Sequence, residues 1–155
     1  MNIQYLKKLQ QNPNGYHGFS NEPLTLTEIT TLETKYNSGN PFPLVLKEFL
    51  YLAGGDCIYT DMGVAESQEE LQDDSREELT IDSLSIARPF FVLTTYSGWF
   101  QMIYLDEGDN PSVYHLDLEP VSPGSSTPKI EQVCDTLSGY IDGEIHAYQT
   151  YYGPE

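Results

Sequence analysis

His115 and Asp117 stand two apart in the run Val113–Leu118, VYHLDL. Residues two apart on a strand share a face, so the carboxylate can orient the imidazole for acid–base work. The same alternation with Tyr114, Leu116 and Leu118 describes a half-exposed strand, and a polar solvent face on an edge strand is the simpler reading. His17 and His146 lie elsewhere, and no histidine has a second ligand three or four residues on, so zinc is not expected. Cys57 and Cys134 form no CxxC pair and read as two buried free thiols of a reducing compartment. Neither YSGW at 96–99 nor GSS at 124–126 fits the G-x-S-x-G elbow. The loop Asp106, Glu107, Gly108, Asp109, Asn110 is rich in carboxylates, but it breaks the EF-hand ligand order and reads as a turn. Gly54-Gly55 follows a helical pattern rather than a strand, which makes it a helix stop and not a phosphate cradle. No catalytic residue, metal or cofactor is therefore expected.

Charge is the stronger signal. Twenty-four acids face seven basic residues, a net charge of −17. Nucleic acid needs lysine and arginine contacts to release its counterions, so it is disfavoured as a ligand. Anionic membrane is disfavoured for the same reason. A basic protein is attracted and steered instead. The plain alternative is a surface that only keeps the chain in solution. Nine of the acids fall between Asp61 and Asp82, with one arginine among them. The candidate partner-binding residues are accordingly Glu69, Glu70, Asp73, Asp74, Glu77 and Glu78, followed by Asp106, Glu107 and Asp109. Trp99 joins them, because a tryptophan at a hairpin turn is hard to bury fully and is a favoured interface anchor. For each acid the bland reading is a solvated face.

Several elements must position these residues. Ile3–Gln10 has the spacing of a short helix. Thr25 and Glu28 form a capping box at the head of a helix over Leu24–Tyr36, with Ile29, Leu32 and Tyr36 on one face. Asn40–Pro43 stops it, and Pro43 opens a second, largely apolar helix, Pro43–Leu52, that Gly54 and Gly55 end in a left-handed stop. Cys57–Thr60 reads as a short strand. In Glu66–Glu78 only Val64, Leu71 and Leu79 offer apolar anchors nearby, which suits a helix resting loosely on the surface, or a partly ordered loop. Pro89–Tyr96 and Trp99–Asp106 form a hairpin about Ser97-Gly98, and Val113–Leu118 is a third strand. Phe90–Leu93 is apolar on both faces, the mark of a central strand. Pro120–Pro128 is a loop, and a last helix runs from Asp135 or Thr136 to Tyr151, its Gly139 and Gly143 suggesting a close neighbour. The expectation is one α+β domain over residues 1–155, a mostly antiparallel sheet of about four to six strands with helices packed on it.

The segment FPLVLKEFLYLAGGD, Phe42–Asp56, and the segment PFFVLTTYSGWFQMIYLDEGDNPSVYHLDLE, Pro89–Glu119, resemble the SUKH superfamily. That family includes the yeast cell-wall-synthesis regulator and many bacterial toxin-immunity proteins. The resemblance covers about half the chain and implies a SUKH-like α+β fold. It implies a non-enzymatic immunity protein that occludes the basic surface of a toxin, often a nuclease. The alternative it implies is a regulatory scaffold for endogenous signalling partners. A carboxylate-based enzyme is the weakest of the three readings. MNIQYLKKLQQ is followed by no apolar block, so no secretory signal is expected and the expected location is cytoplasmic.

Overall fold

The computed structural model, which describes residues 1–153, opens on a segment held by a buried charge. The Glu48 carboxylate is fully buried and accepts the backbone N–H groups of Gln4 at 2.6 Å and of Tyr5 and Leu6 at 2.9 Å each. Those donors are thereby taken, and the first helix, α1 (Lys7–Gln11), starts four residues later than its apolar spacing predicts. Ile3, Leu6 and Leu9 bury all the same.

Helix α2 (Leu26–Tyr36) carries the expected capping box. Glu28 donates its N–H to Thr25 Oγ1 at 3.2 Å, and its carboxylate accepts the Thr25 N–H at 2.7 Å. Helix α3 (Leu44–Ala53) has Pro43 at its N-cap, one place before the position expected, and buries Val45, Leu46, Phe49, Leu50 and Ala53. The Gly-Gly stop is not left-handed: Gly54 has φ −72°. Its reason is steric, since a Cβ there would lie 2.6 Å from the Leu50 carbonyl oxygen and 2.9 Å from Leu24 Cδ1. Cys57–Thr60 is a turn and a bend and not a strand. Its buried side chains, Cys57 and Tyr59, satisfy the apolar pattern without a ladder, and the Tyr59 hydroxyl donates to the Asn12 carbonyl at 2.8 Å.

Helix α4 (Gln68–Ile81) is continuous and firmly seated, contrary to the loose placement its sparse leucines suggest. Polar anchors do the seating. Gln72 is fully buried, donates from Nε2 to the Val92 carbonyl and accepts the Val92 N–H, both at 2.8 Å. Arg76 donates to the Phe90 carbonyl at 2.8 Å and lies over the Phe90 ring.

The sheet is antiparallel, in the order β1 (Phe90–Tyr96), β2 (Trp99–Tyr104), β3 (Val113–Pro120), β4 (Pro128–Cys134). Two expectations are overturned here. β1 is an edge strand, not a central one, and β3 lies inside the sheet because β4 pairs with it. β4 hides in sequence because its side chains are mostly exposed, so Lys129, Glu131 and Gln132 break the apolar signature. The Pro120–Pro128 loop is the connection into it. Phe91, Leu93, Ile103 and Val113 face α1, α2, α3 and a final helix α5 (Leu137–Tyr152). Phe90, Val92, Phe100, Met102 and Leu116 face Leu71 and Leu79 of α4. This is an α+β domain, and among the described residues no helix is long and apolar enough to cross a membrane. Gly139 of α5 is explained by its cap: a Cβ would lie 2.9 Å from the Thr136 hydroxyl that accepts its N–H. Gly143 has nothing within 4 Å of such a Cβ, so no close neighbour accounts for it.

Two stability effects follow. Glu48→Ala orphans three N–H groups, and at about 1–3 kcal/mol for each buried unsatisfied donor it should cost on the order of 3 kcal/mol or more. Gly143→Ala should stabilise by about 0.5–1 kcal/mol through helix propensity alone. Denaturant midpoints at constant m-value measure both, and an unchanged midpoint for Glu48→Ala would mean that the N-terminal segment is not held by this carboxylate.

Candidate binding site

The candidate partner-binding residues fall into three separate places. On α4, Lys35 of α2 donates to Glu69 Oε1 and to Asp73 Oδ2, each at 2.8 Å. Asp73 also accepts the Tyr36 hydroxyl at 2.7 Å, and these bonds, Lys35 first, hold its carboxyl below the usual range. Glu69 and Asp73 are therefore spent on joining α2 to α4. Glu70 completes the cap, accepting the Glu66 N–H at 2.6 Å while its own N–H bonds to Ser67 Oγ. The solvent face of α4 keeps Glu70, Asp74 and Glu77, spaced four and three apart. Glu78 turns inward: one of its oxygens is buried without a partner, and burial, then Asp74 and Asp82, push its carboxyl up.

Asp106 and Glu107 sit at the far end of β2. Arg88 lies 3.8 Å over the Tyr104 ring and bonds Asp106 Oδ1 at 2.5 Å and Glu107 Oε1 at 3.1 Å. The loop they begin is a structural junction. Its Asp109 carbonyl accepts the Val45 N–H at the head of α3, and Asn110 Oδ1 accepts the Ser138 N–H in the first turn of α5. These three acids do not join the α4 set.

Trp99 lies at the hairpin end of the sheet, on the face opposite α4. Cross-strand register puts it beside Tyr96, and its ring stacks on Tyr96 at 4.9 Å and meets His115 at 4.8 Å, tilted by 39°. His115 Nε2 is 3.2 Å from Asp117 Oδ1, so the anticipated pair exists, but as a neighbour of an aromatic ledge on an interior strand. Next to the ledge, β1–β2, the loop at Tyr59–Asp61 and α5 enclose a pocket of about 290 Å³. Tyr96, Trp99 and Tyr59 supply aromatic walls, and Asp61, Tyr140 and Glu144 supply polar groups. Glu144 is half-buried, and burial raises its carboxyl; among the described residues no hydrogen bond or ion pair acts on it. Burial, then the Glu144 charge, pushes the Tyr140 phenol up as well. Across Tyr59–Asp61 a second hollow, about 420 Å³, continues to Phe19 and Tyr148. Sequence reasoning found Trp99 but missed Asp61, Tyr140 and Glu144. The available signal was Tyr140 and Glu144 at helical spacing beside the apolar stripe of α5; what they meet is set by a loop eighty residues away (roughly, in sequence).

Among known proteins, no family model matches this chain, and no curated protein matches it either.

The buried Glu78 oxygen gives a pH prediction. Its folded pKa lies above its ordinary value of 4.5, so the folded state holds the proton more tightly than the unfolded one. The penalty is absent below that ordinary value and complete once the pH has risen past the folded pKa. Glu78→Gln should therefore raise the thermal midpoint at pH 7, and the gain should vanish below about pH 4. A gain that persists unchanged into acid would remove desolvation of this carboxylate as its cause.

Proposed function

We propose that this chain is a non-enzymatic binding protein whose partner is a basic protein. In the form that the SUKH resemblance implies, it is a cytoplasmic immunity protein that occludes a toxin such as a nuclease. One observation carries the reading: a half-exposed aromatic ledge set in a surface whose cations are already engaged. Lys35, Lys47, Arg88 and Lys129 are ion-paired within the chain, and Arg76 is taken up between the rings of Tyr36 and Phe90. Among the described residues, Lys7 and Lys8 are the two of the seven basic residues outside such arrangements. The net negative field is thus left for a partner, while Tyr96 and Trp99 offer area of the kind that slows dissociation. The unneutralised acids Glu70, Asp74 and Glu77 steer the encounter.

The test is association kinetics against the product of the neighbouring gene at several salt concentrations. The association rate should fall steeply with salt, as the Debye length shrinks from about 10 Å at 0.1 M to about 3 Å at 1 M. Glu70→Gln, Asp74→Asn and Glu77→Gln together should slow association several-fold at low salt. Glu69→Gln with Asp73→Asn should do so less, because Lys35 already neutralises both. Trp99→Ala should act mainly on dissociation. A salt-independent rate, indifferent to the triple change, would leave the acidity as a device for solubility.

A further inference from the structure

The pocket beside Trp99 has a chemistry narrower than a generally acidic surface. Its carboxylate, Glu144, is half-buried, has no cation or donor acting on it, and is raised by burial. Asp61 lines the same pocket, and its carboxylate accepts the Gly63 N–H at 2.7 Å. The aromatic residues Tyr59, Tyr96 and Trp99 line it as well. The volume, about 290 Å³, lies at the bottom of the range of roughly 300–1,000 Å³ usual for small-molecule sites, which suits one side chain better than a cofactor.

Resting on the reading of a basic protein partner, we propose that this pocket receives an arginine side chain of that partner. A guanidinium is planar, stacks on aromatic faces and has five donors in a fixed fork, enough to engage Glu144 and Asp61 together. It is also more weakly hydrated than an ammonium, so it enters a half-buried site at lower cost. Tyr140 lines the same pocket, and among the described residues no hydrogen bond acts on its hydroxyl, leaving a further polar group for the fork's remaining donors. The occupant supplies the counter-charge that the fold withholds from Glu144.

Trp99 is the single tryptophan of the chain and reports on the pocket directly. The probe is acetyl-Gly-Arg-Gly-amide, titrated at constant ionic strength while Trp99 fluorescence is followed. Matched peptides carry citrulline, the neutral isostere, or lysine. The arginine peptide should give a saturable change in the millimolar range, with citrulline at least tenfold weaker and lysine several-fold weaker. Glu144→Gln should weaken the arginine peptide about tenfold, and Tyr140→Phe is a second variant with little risk to folding. The triple change of Glu70, Asp74 and Glu77 lies outside the pocket and should leave the titration unaltered. Equal responses to arginine and citrulline, equal affinity for arginine and lysine, or indifference to Glu144→Gln would each overturn the assignment. So would loss of binding in the α4 triple variant, which would make the response a matter of net charge. Because the peptide probes the pocket alone, a failure here leaves the kinetics against the whole partner standing. Flat salt dependence there leaves this titration standing in turn.

Discussion

An edge strand that is apolar on both faces cannot be left open. β1 is such a strand: Phe91 and Leu93 bury on one side, Phe90 and Val92 on the other, and only one of its edges is paired. An unpaired edge of that character invites another chain. The fold closes it with side chains. The Gln72 amide meets both the N–H and the carbonyl of Val92, as a neighbouring strand would, and Arg76 takes the carbonyl of Phe90. Further along, Thr94 donates its hydroxyl to the Asp61 carbonyl, so the loop before α4 is drawn round the same edge. Gly63 passes over Thr95 at φ +68°, where a Cβ would already be 3.0 Å from Thr95 Cγ2. Sealing the edge therefore decides where Tyr59, Thr60 and Asp61 lie, and their position makes the pocket.

The charge distribution obeys a second constraint. With seven cations for 24 acids, the chain uses its basic side chains as links between elements. Lys35 joins α2 to α4, Lys47 joins α3 to Glu33 of α2, and Arg88 ties the approach to β1 to the loop after β2. The exposed pairs of Lys35 and Arg88 contribute only about 0–1 kcal/mol each, so they fix geometry more than they stabilise it. The most buried carboxylates are satisfied differently. Glu48 relies on three backbone N–H groups, and Glu33 accepts the Phe42 N–H at 2.9 Å with Lys47 at 3.6 Å. Backbone donors cost no cation, which is how an acidic chain can bury carboxylates at all.

The elements legible in the sequence were those whose signal is local. The Thr25–Glu28 box, the proline break before α3 and the Ser97-Gly98 hairpin all act over a few residues, and each forms within a residue of the place expected. The losses have non-local causes. β1 looked central because apolarity on both faces reports burial, and a helix can bury an edge as well as another strand can. β4 was invisible because its partner is on one side only and most of its side chains are exposed. α4 seemed weakly held because Gln72 and Arg76 carry no apolar signature, yet their bonds to β1 replace one. The candidate acids were found by composition, which ignores pairing. Lys35 and Arg88, distant in sequence, had already claimed four of them.

The site follows the same division. Trp99 could be named because a tryptophan at a turn is locally conspicuous. Glu144 could not, because its peculiarity is an environment assembled from β1–β2, the Tyr59–Asp61 loop and α5. A carboxylate held half out of water with no partner is disfavoured in the isolated fold, since burial penalises its charged form. A fold optimised for stability alone would place a neutral residue there or bring up one of its few cations. Retaining the charge is sensible where binding supplies the counter-ion, for the cost borne by the free protein is then returned in the complex. Aromatic walls add to this, because they lower the local dielectric and so strengthen the pair once it forms. The acids proposed to steer from α4, Glu70, Asp74 and Glu77, have the opposite design, being exposed, inexpensive to keep and effective at long range. On the reading proposed above, two populations of carboxylate would divide the work of recognition: exposed ones would set how often a basic partner arrives, and the half-buried one which side chain it must present.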